Sequence, residues 1–312
     1  MKKDLFQARL GWFWLNDFEI FHEAYDLTDK RVEDAFRQGM THLIIFGNHS
    51  RWNFRPWQNK INAGIAALVR SAHKRNMKVI DHHSASLLWH PDTPERLAGV
   101  YRNFSAWNMD PENYRGIVDY LLSPDLPLFD WLQKDGNNER VITGYGGYAF
   151  CYNNLDYRRE YFKYLESIYA TGVDGIMTDD IQYFGESCNC PVCRKKFAEK
   201  YNMELPGPGE WKNFFRRLDA PGGAEQLRFR AESTHEFHVA VKEHYEKLGL
   251  NLLRPNYSSM VLARDWTSIN IETLPALDWF FIECCTGSIF RYHQNSNEHK
   301  CHYLHNHQNK AQ

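Results

Sequence analysis

DYRREYFKYLESIYATGVDGIMTDD, residues 156–180, contains a helix, a cap and a buried strand in direct succession. Apolar side chains recur at three- and four-residue spacing through residues 156–171, which predicts a helix with one buried face. Gly172 tolerates the left-handed conformation that commonly ends a helix. The short, nearly continuous apolar run at 173–179 is typical of a strand that helices cover.

The same unit occurs three more times along the chain. Helical patterns at residues 28–38, 57–75 and 224–248 are followed by Gly39, Asn76 and Gly249, and each is then followed by a short apolar run. Alternation of helices and strands implies a parallel sheet. Strands are predicted near residues 9–15, 42–47, 77–82, 173–179, 250–256 and 277–283, with a seventh at 301–305.

This pattern predicts an α/β protein with a TIM-type (β/α)8 barrel, a single catalytic domain over residues 1–312. No segment is evident for the eighth strand. We therefore expect either a barrel that is incomplete at the C-terminus, cut short before strand 8, or closure by another segment. Residues 85–155, rich in Pro, Asn, Trp and Tyr, are too long for an ordinary connection. They predict an insertion after strand three that shapes a substrate cleft.

Composition narrows the class of partner. The formal charge of −2 on 312 residues gives no reason to expect a nucleic-acid partner. The N-terminal sequence MKKDLFQARLGW lacks the apolar run of a signal peptide, and no stretch is long and apolar enough to span a membrane. Three of the seven cysteines lie within six residues, a pattern that suits a reducing compartment. We expect a soluble, cytoplasmic protein, and association into a homo-oligomer remains open.

Polar side chains follow every predicted strand, at the end where parallel barrels place catalytic groups. They are Asn16 after the first strand, Asn48, His49 and Trp52 after the second, His82 and His83 after the third, Asp179, Asp180 and Gln182 after the fourth, Arg254, Asn256 and Tyr257 after the fifth, and Glu283 after the sixth. Planar polar groups bind sugar hydroxyls and aromatic faces cover sugar C–H groups, so a carbohydrate substrate is expected. Without a Gly-rich phosphate loop, no organic cofactor is expected.

The adjacent acids Asp179 and Asp180 are the first candidates for catalysis. Neighbouring strand residues point to opposite faces, so one of the two can face a cleft. Glycoside hydrolysis needs two carboxyl groups, one to protonate the leaving oxygen and one to attack the anomeric carbon or to activate water. Glu283 is the candidate for the second group, and the alternative is that it forms an ion pair or faces a helix.

The segment CNCPVC places Cys188, Cys190 and Cys193 at C-x-C-x2-C spacing. Thiolates this close in a cytosolic protein typically bind zinc, which takes four ligands in structural sites. Cys151 is the candidate for the fourth ligand because it lies just before the helix that leads into strand four. The predicted site is structural zinc, and the alternative is four reduced, unbound cysteines.

The segment GVDGIMTDDIQYFGESCNCPVCRKKF resembles the fourth-strand region of family 42 β-galactosidases and related glycosyl-hydrolase-like barrels, and the match covers about residues 148–200. The resemblance implies a retaining glycosidase clan, with an acid/base on strand four at the position of Asp179. It also implies structural zinc on a C-x-C-P-x-C cluster with an upstream cysteine. The sequence departs from the family, whose fourth strand ends in Asn-Glu, whereas this strand ends in the pair Asp179-Asp180. In α-fucosidase and α-galactosidase families a strand-four Asp is instead the nucleophile.

Three functions remain open from the sequence. The first is a glycoside hydrolase that uses a carboxylate pair. The second is a metal-dependent TIM-barrel hydrolase with Asp81, His82, His83 and a strand-four Asp as ligands. The third is a barrel that binds carbohydrate without catalysis. The His-rich stretch 293–307 could hold a further metal or form strand seven with its loop.

Overall fold

The computed structural model describes residues 8–47, 52–88, 123–143, 147–250, 253–258 and 279–282. Six strands form one sheet in the order β1-β2-β3-β6-β7-β8, and every neighbouring pair is parallel. The strands of this sheet are β1 Leu10–Trp14, β2 His42–Phe46, β3 Lys78–Ser84, β6 Gly175–Asp179, β7 Pro255–Ser258 and β8 Trp279–Ile282. Six strands in parallel arrangement are confirmed before residue 284, but the fifth, predicted at 250–256, spans Pro255–Ser258, so Asn256 lies within the strand rather than after it. The seventh, at 301–305, lies outside the described residues, and a closed barrel stays a prediction.

Helices alternate with these strands as the sequence predicts. Within the described ranges the α-helices are α1 Asp17–Phe21, α2 Tyr25–Arg37, α3 Gln58–His73, α4 Leu155–Tyr169, α5 Pro191–Tyr201, α6 Pro208–Arg216 and α7 Gly223–Lys247. The predicted helices correspond to α2, α3, α4 and α7. In the part of the chain that the structure describes, no helix combines the length and hydropathy of a membrane span.

Each of these four helices is followed by a residue in the left-handed region. The φ angles are +81° at Gly39, +55° at Asn76, +91° at Gly172 and +70° at Gly249. A side chain with a Cβ atom is disfavoured there, and glycine and asparagine tolerate this conformation best. The helix ends predicted from sequence are therefore confirmed, and the next strand of the sheet begins within six residues of each.

The two faces of the sheet bury different side chains. One face packs against the helices in a large core, to which the strands contribute Phe13, Leu43, Ile45, Val79 and Ile176. The opposite face carries a small separate cluster of Ile44, Ile80 and Met177, packed against Leu10 and Leu253. We call this second side the inner face. Side chains alternate between the two faces along each strand.

The described parts of the 85–155 segment bind the loop that follows β6. Its strands β4, Leu87–Leu88, and β5, Tyr148–Ala149, pair antiparallel. The buried Gln133 amide donates to the carbonyls of Phe150 and Gln182, at 3.1 and 3.0 Å. Its oxygen accepts hydrogen bonds from the Phe184 amide and the Ser187 hydroxyl. This segment therefore holds the chain between Asp179 and the cysteines. Its predicted role in shaping a cleft stays a prediction.

Candidate active site

Asp179 is the last residue of β6 and shares the inner face with Met177. Its Oδ2 lies 3.0 Å from Nε2 of His82 on the neighbouring strand β3. Its Oδ1 accepts a hydrogen bond of 2.7 Å from the Asp180 amide. Both carboxylate oxygens are therefore held in position by hydrogen bonds. The side chain keeps 16% of its surface exposed, so a ligand can reach it.

His82 is held directly beside this carboxylate. Its ring stacks on Phe46 with centroids 5.3 Å apart and an interplanar angle of 28°, and Trp12 meets it edge-on at 5.4 Å. The residue is 1% exposed. The sequence suggests a substrate contact for His82, but the structure leaves it almost no surface to offer. It instead orients Asp179 by donating from Nε2.

His83 points away from this site, because adjacent strand residues face opposite sides of the sheet. It is fully buried, with Nδ1 2.8 Å from Asp81 Oδ2 and Nε2 2.7 Å from the Tyr161 hydroxyl. Burial lowers the pKa of His83, so the ring is neutral. Nδ1–H therefore donates to Asp81, and Nε2 accepts from Tyr161. The predicted substrate contact of His83 is corrected to a core hydrogen bond.

Trp52 also belongs to the core rather than to a ligand site. It is 2% exposed, and its ring centroid lies 4.8 Å from that of Phe150 and 5.7 Å from that of Tyr157. The short 3-10 helix that carries it, Trp52–Trp57, leads into α3. Its predicted stacking on a substrate is therefore corrected to packing between the insertion and the helix layer.

Asn16 has a local structural role. Its side chain accepts a hydrogen bond of 2.9 Å from the Phe18 amide, and the Glu19 carboxylate accepts one from the Asn16 amide. This reciprocal pair caps α1. Asn followed three residues later by Glu is the sequence signal of this cap. Asn16 is half-buried and the cap uses only its side-chain oxygen, so its predicted sugar contact stays a prediction.

The structure describes only some of the remaining residues predicted to contact substrate. The carbonyl of Asp180 accepts from Ser86 and Tyr152 and its φ is +60°, so β6 ends before it and strand alternation does not orient it. Gln182 donates its backbone N–H to the Tyr152 hydroxyl, which leaves the position of its side chain as a substrate contact a prediction. Arg254 is partly buried and lies close enough to lower the pKa of Tyr245, which burial raises overall. The structure gives β7 backbone positions for Asn256 and Tyr257, whereas Asn48, His49 and Glu283 lie outside the described residues.

The metal-ligand set of the alternative hydrolase does not converge. Asp81 and His83 are joined to each other on the helix-facing side of β3, whereas His82 and Asp179 meet on the inner face. The sheet backbone separates the two pairs. A single ion cannot be bound by all four side chains, so this arrangement disfavours the metal-dependent mechanism.

A second constellation brings the four predicted cysteines together. Their Sγ atoms all lie within 4.8 Å of one another, and all four residues are buried. Cys151 Sγ is 3.4 Å from that of Cys193 and 3.6 Å from that of Cys190. Zn–S bonds of about 2.3 Å in a tetrahedron place the sulfurs about 3.8 Å apart. The donor set and its spacing therefore fit one zinc ion with no open position.

Positive and polar groups surround these sulfurs. The Asn153 amide donates to Cys193 Sγ at 3.3 Å, and its oxygen accepts from Lys196 Nζ at 2.7 Å. Arg230 is 1% exposed and donates to the Tyr183 carbonyl at 2.7 Å. Burial lowers the pKa of Arg230 to about 10, and nearby Tyr183 and thiols oppose that shift. These groups were not predicted from the sequence. The signal for Arg230 is a basic residue within the buried face of a helix.

Solved glycosidase structures resemble the chain in fold. The β-galactosidase from the psychrophilic Marinomonas ef1 is 13% identical, with a TM-score of 0.53, and the match covers 89% of this chain and 40% of that chain. The maltogenic α-amylase AmyB from Thermotoga neapolitana is 10% identical, with a TM-score of 0.48 and coverage of 93% and 52%. An α-galactosidase from Thermus thermophilus is 12% identical, with a TM-score of 0.46 and coverage of 88% and 40%.

The chain thus spans between 40% and 52% of the lengths of these proteins. No protein-family model and no curated protein matches its sequence. The likeness to the Marinomonas enzyme concerns the fold alone. The carboxylate–histidine pair at the strand ends is described for this chain only.

Proposed function

We propose that the protein is a glycoside hydrolase in which Asp179 is a catalytic carboxylate. The observation that carries this proposal is the position of Asp179: on the inner face, at the carboxyl end of a parallel strand, partly exposed and held on both oxygens. Parallel α/β barrels place catalytic groups at that end. The fold shared with a β-galactosidase supports the same class.

The two hydrogen bonds suggest which role Asp179 has. A carboxylate whose two oxygens are held by His82 and by a backbone amide is fixed in position, which suits a nucleophile better than a group that must deliver a proton. In this mechanism an Asp179 oxygen attacks the anomeric carbon and the glycosidic C–O bond breaks. A second carboxylic acid protonates the leaving oxygen and later takes a proton from the water that frees the sugar. We propose Glu283 for that second group, and Asp180 is the alternative.

We further propose that segments outside the described residues close the sheet into a barrel, and that Cys151, Cys188, Cys190 and Cys193 hold a structural zinc ion. With four thiolates and no open position, such an ion supplies no chemistry to the reaction. It would instead tie the 85–155 segment to the loop that follows Asp179. A cytoplasmic location agrees with reduced thiolates at this site.

The test uses a panel of p-nitrophenyl α- and β-glycosides and the full chain. We expect one glycoside to be hydrolysed, and Asp179→Asn to lower kcat/KM at least about 10²-fold, the scale of a lost catalytic group. Asp34→Asn, the same change at an exposed position of α2, serves as the control and should leave the rate unchanged.

Azide tests the role of Asp179 separately. In Asp179→Ala, azide should restore release of p-nitrophenol by attacking the anomeric carbon in place of the missing carboxylate, and a glycosyl azide should form. Hydrolysis that survives Asp179→Asn would contradict the proposal. A panel without turnover would favour the barrel that only binds carbohydrate.

A further inference from the structure

Three aromatic side chains lie together on the inner face of the first two strands, and two of them, Trp14 and Phe46, are the last residues of their strands. Trp12 and Trp14 belong to β1 and Phe46 to β2. The Trp14 and Phe46 ring centroids are 4.8 Å apart at 66°, and those of Trp12 and Phe46 are 5.8 Å apart at 81°. Trp12 is 52% exposed and Trp14 is 47% exposed. We call Trp12, Trp14 and Phe46 the aromatic wall.

The aromatic wall is continuous with the proposed catalytic carboxylate. Phe46 stacks on His82, and Trp12 meets the same imidazole edge-on. His82 Nε2 in turn lies 3.0 Å from Asp179. A group resting on the exposed indoles would therefore lie on the same surface as the carboxylate. Exposed indole rings leave a large apolar area in water, and covering them is favourable.

The chemistry of this surface combines flat apolar rings with one anionic group. A phosphate-bearing ligand would be repelled by Asp179, and a purely apolar ligand would cover the partly exposed carboxylate without solvating it. A pyranose ring satisfies both requirements, because one of its faces presents C–H groups and its rim presents hydroxyls. Trp12 and Trp14 are two residues apart on one strand, so their Cα atoms are about 7 Å apart. The two rings together therefore cover a longer surface than one ring would.

We propose that the aromatic wall is a saccharide-binding surface that stacks pyranose rings beside Asp179 and extends over more than one sugar. This inference rests on the proposed function, since it gives the substrate of that site its class: a glycoside of at least two pyranose units with an exposed C–H face. The wall is not apparent from the sequence, because LGWFW is typical of an ordinary strand. The signal is the repetition of Trp at alternate positions.

Binding is measured without turnover by placing every variant in the Asp179→Asn background. Calorimetry with lactose, cellobiose and maltose, and with galactose and glucose, gives dissociation constants for the full chain. We expect one disaccharide to bind more tightly than its monosaccharides. Trp14→Ala should weaken its binding at least about fivefold, as expected for a lost aromatic stacking contact. Trp14→Phe should retain most of the affinity.

Phe36→Ala is the matched control, because Phe36 is 46% exposed on α2, away from the inner face. It should bind as the parent does. Equal dissociation constants for the parent and Trp14→Ala would refute the proposal that the aromatic wall binds saccharides. The absence of binding to either protein would refute it as well. The absence of binding would mean that another part of the chain, not a sugar, covers the indoles. Trp12→Ala, at the other exposed indole of the aromatic wall, replaces Trp14→Ala if that variant does not fold, and it should weaken disaccharide binding in the same way.

The two proposals fail separately. If the protein hydrolyses a p-nitrophenyl glycoside and the single variant Trp14→Ala leaves its KM unchanged, the wall is wrong and the proposed function stands. If disaccharides bind and Trp14→Ala weakens them but no glycoside is hydrolysed, the wall stands and Asp179 is not catalytic.

Discussion

Removing the hydroxyl of Tyr161 is expected to destabilise the fold without changing the inner face. This hydroxyl donates to His83 Nε2 at 2.7 Å, and His83 donates from Nδ1 to Asp81 at 2.8 Å. All three residues have no exposed surface. In Tyr161→Phe the ring still packs, but a buried imidazole nitrogen loses the hydrogen-bond donor that the described residues give it. A buried acceptor left without a partner costs about 1–3 kcal/mol, so we expect the free energy of unfolding to fall by that amount.

Tyr245→Phe is the control for the same chemical change. Tyr245 is also buried, at 2% exposure, but its hydroxyl has no hydrogen-bond partner among the described residues. Deleting this group removes no interaction that the described residues show, and it relieves the burial of an unpaired hydroxyl. We therefore expect its free energy of unfolding to stay within about 0.5 kcal/mol of the parent or to rise.

Urea unfolding followed by circular dichroism measures both variants, and equal m values show that the same surface is exposed. If Tyr161→Phe is as stable as Tyr245→Phe, the buried chain from Asp81 to Tyr161 does not contribute as the geometry requires. If Tyr161→Phe keeps its stability but loses saccharide binding, His83 contacts the ligand after all. That result would restore the interpretation of His83 drawn from the sequence.

Two further predictions concern pH and metal. Burial lowers the pKa of His238 to about 3, so the unfolded chain, with a His pKa near 6.5, takes up the proton first. The contribution of His238 to stability is complete above about pH 6.5 and is lost as the pH falls towards 3, by at most about 1.4 kcal/mol per pH unit. The free energy of unfolding, measured by urea titration between pH 5 and 7.5, should rise with pH by this amount. His238→Leu should reduce that dependence on pH, and an unchanged dependence would assign it to another group. Elemental analysis should find one zinc ion per chain in the parent and in the control Cys284→Ser. Cys193→Ser should contain less zinc. Zinc retained in Cys193→Ser would contradict the four-cysteine site.

Local patterns were sufficient for the architecture. The helix stripes, the left-handed residues that follow them and the short apolar runs are each set by neighbours within a few positions, so they predicted six strands and their parallel order. Close spacing in sequence also made three of the cysteines neighbours. The upstream position of Cys151 before α4 then brought it to the same place.

The candidate site depended on contacts between distant segments. Alternation along β3 puts His82 and His83 on opposite faces, but the packing of α4 decides that His83 meets Tyr161 while His82 meets Asp179. The exposure of Trp14 and the burial of Trp52 likewise follow from what packs against each ring. Local propensity acts over a few residues and sets the elements. Which polar group is buried, and beside which partner, is set by surfaces that meet only when the whole sheet has formed.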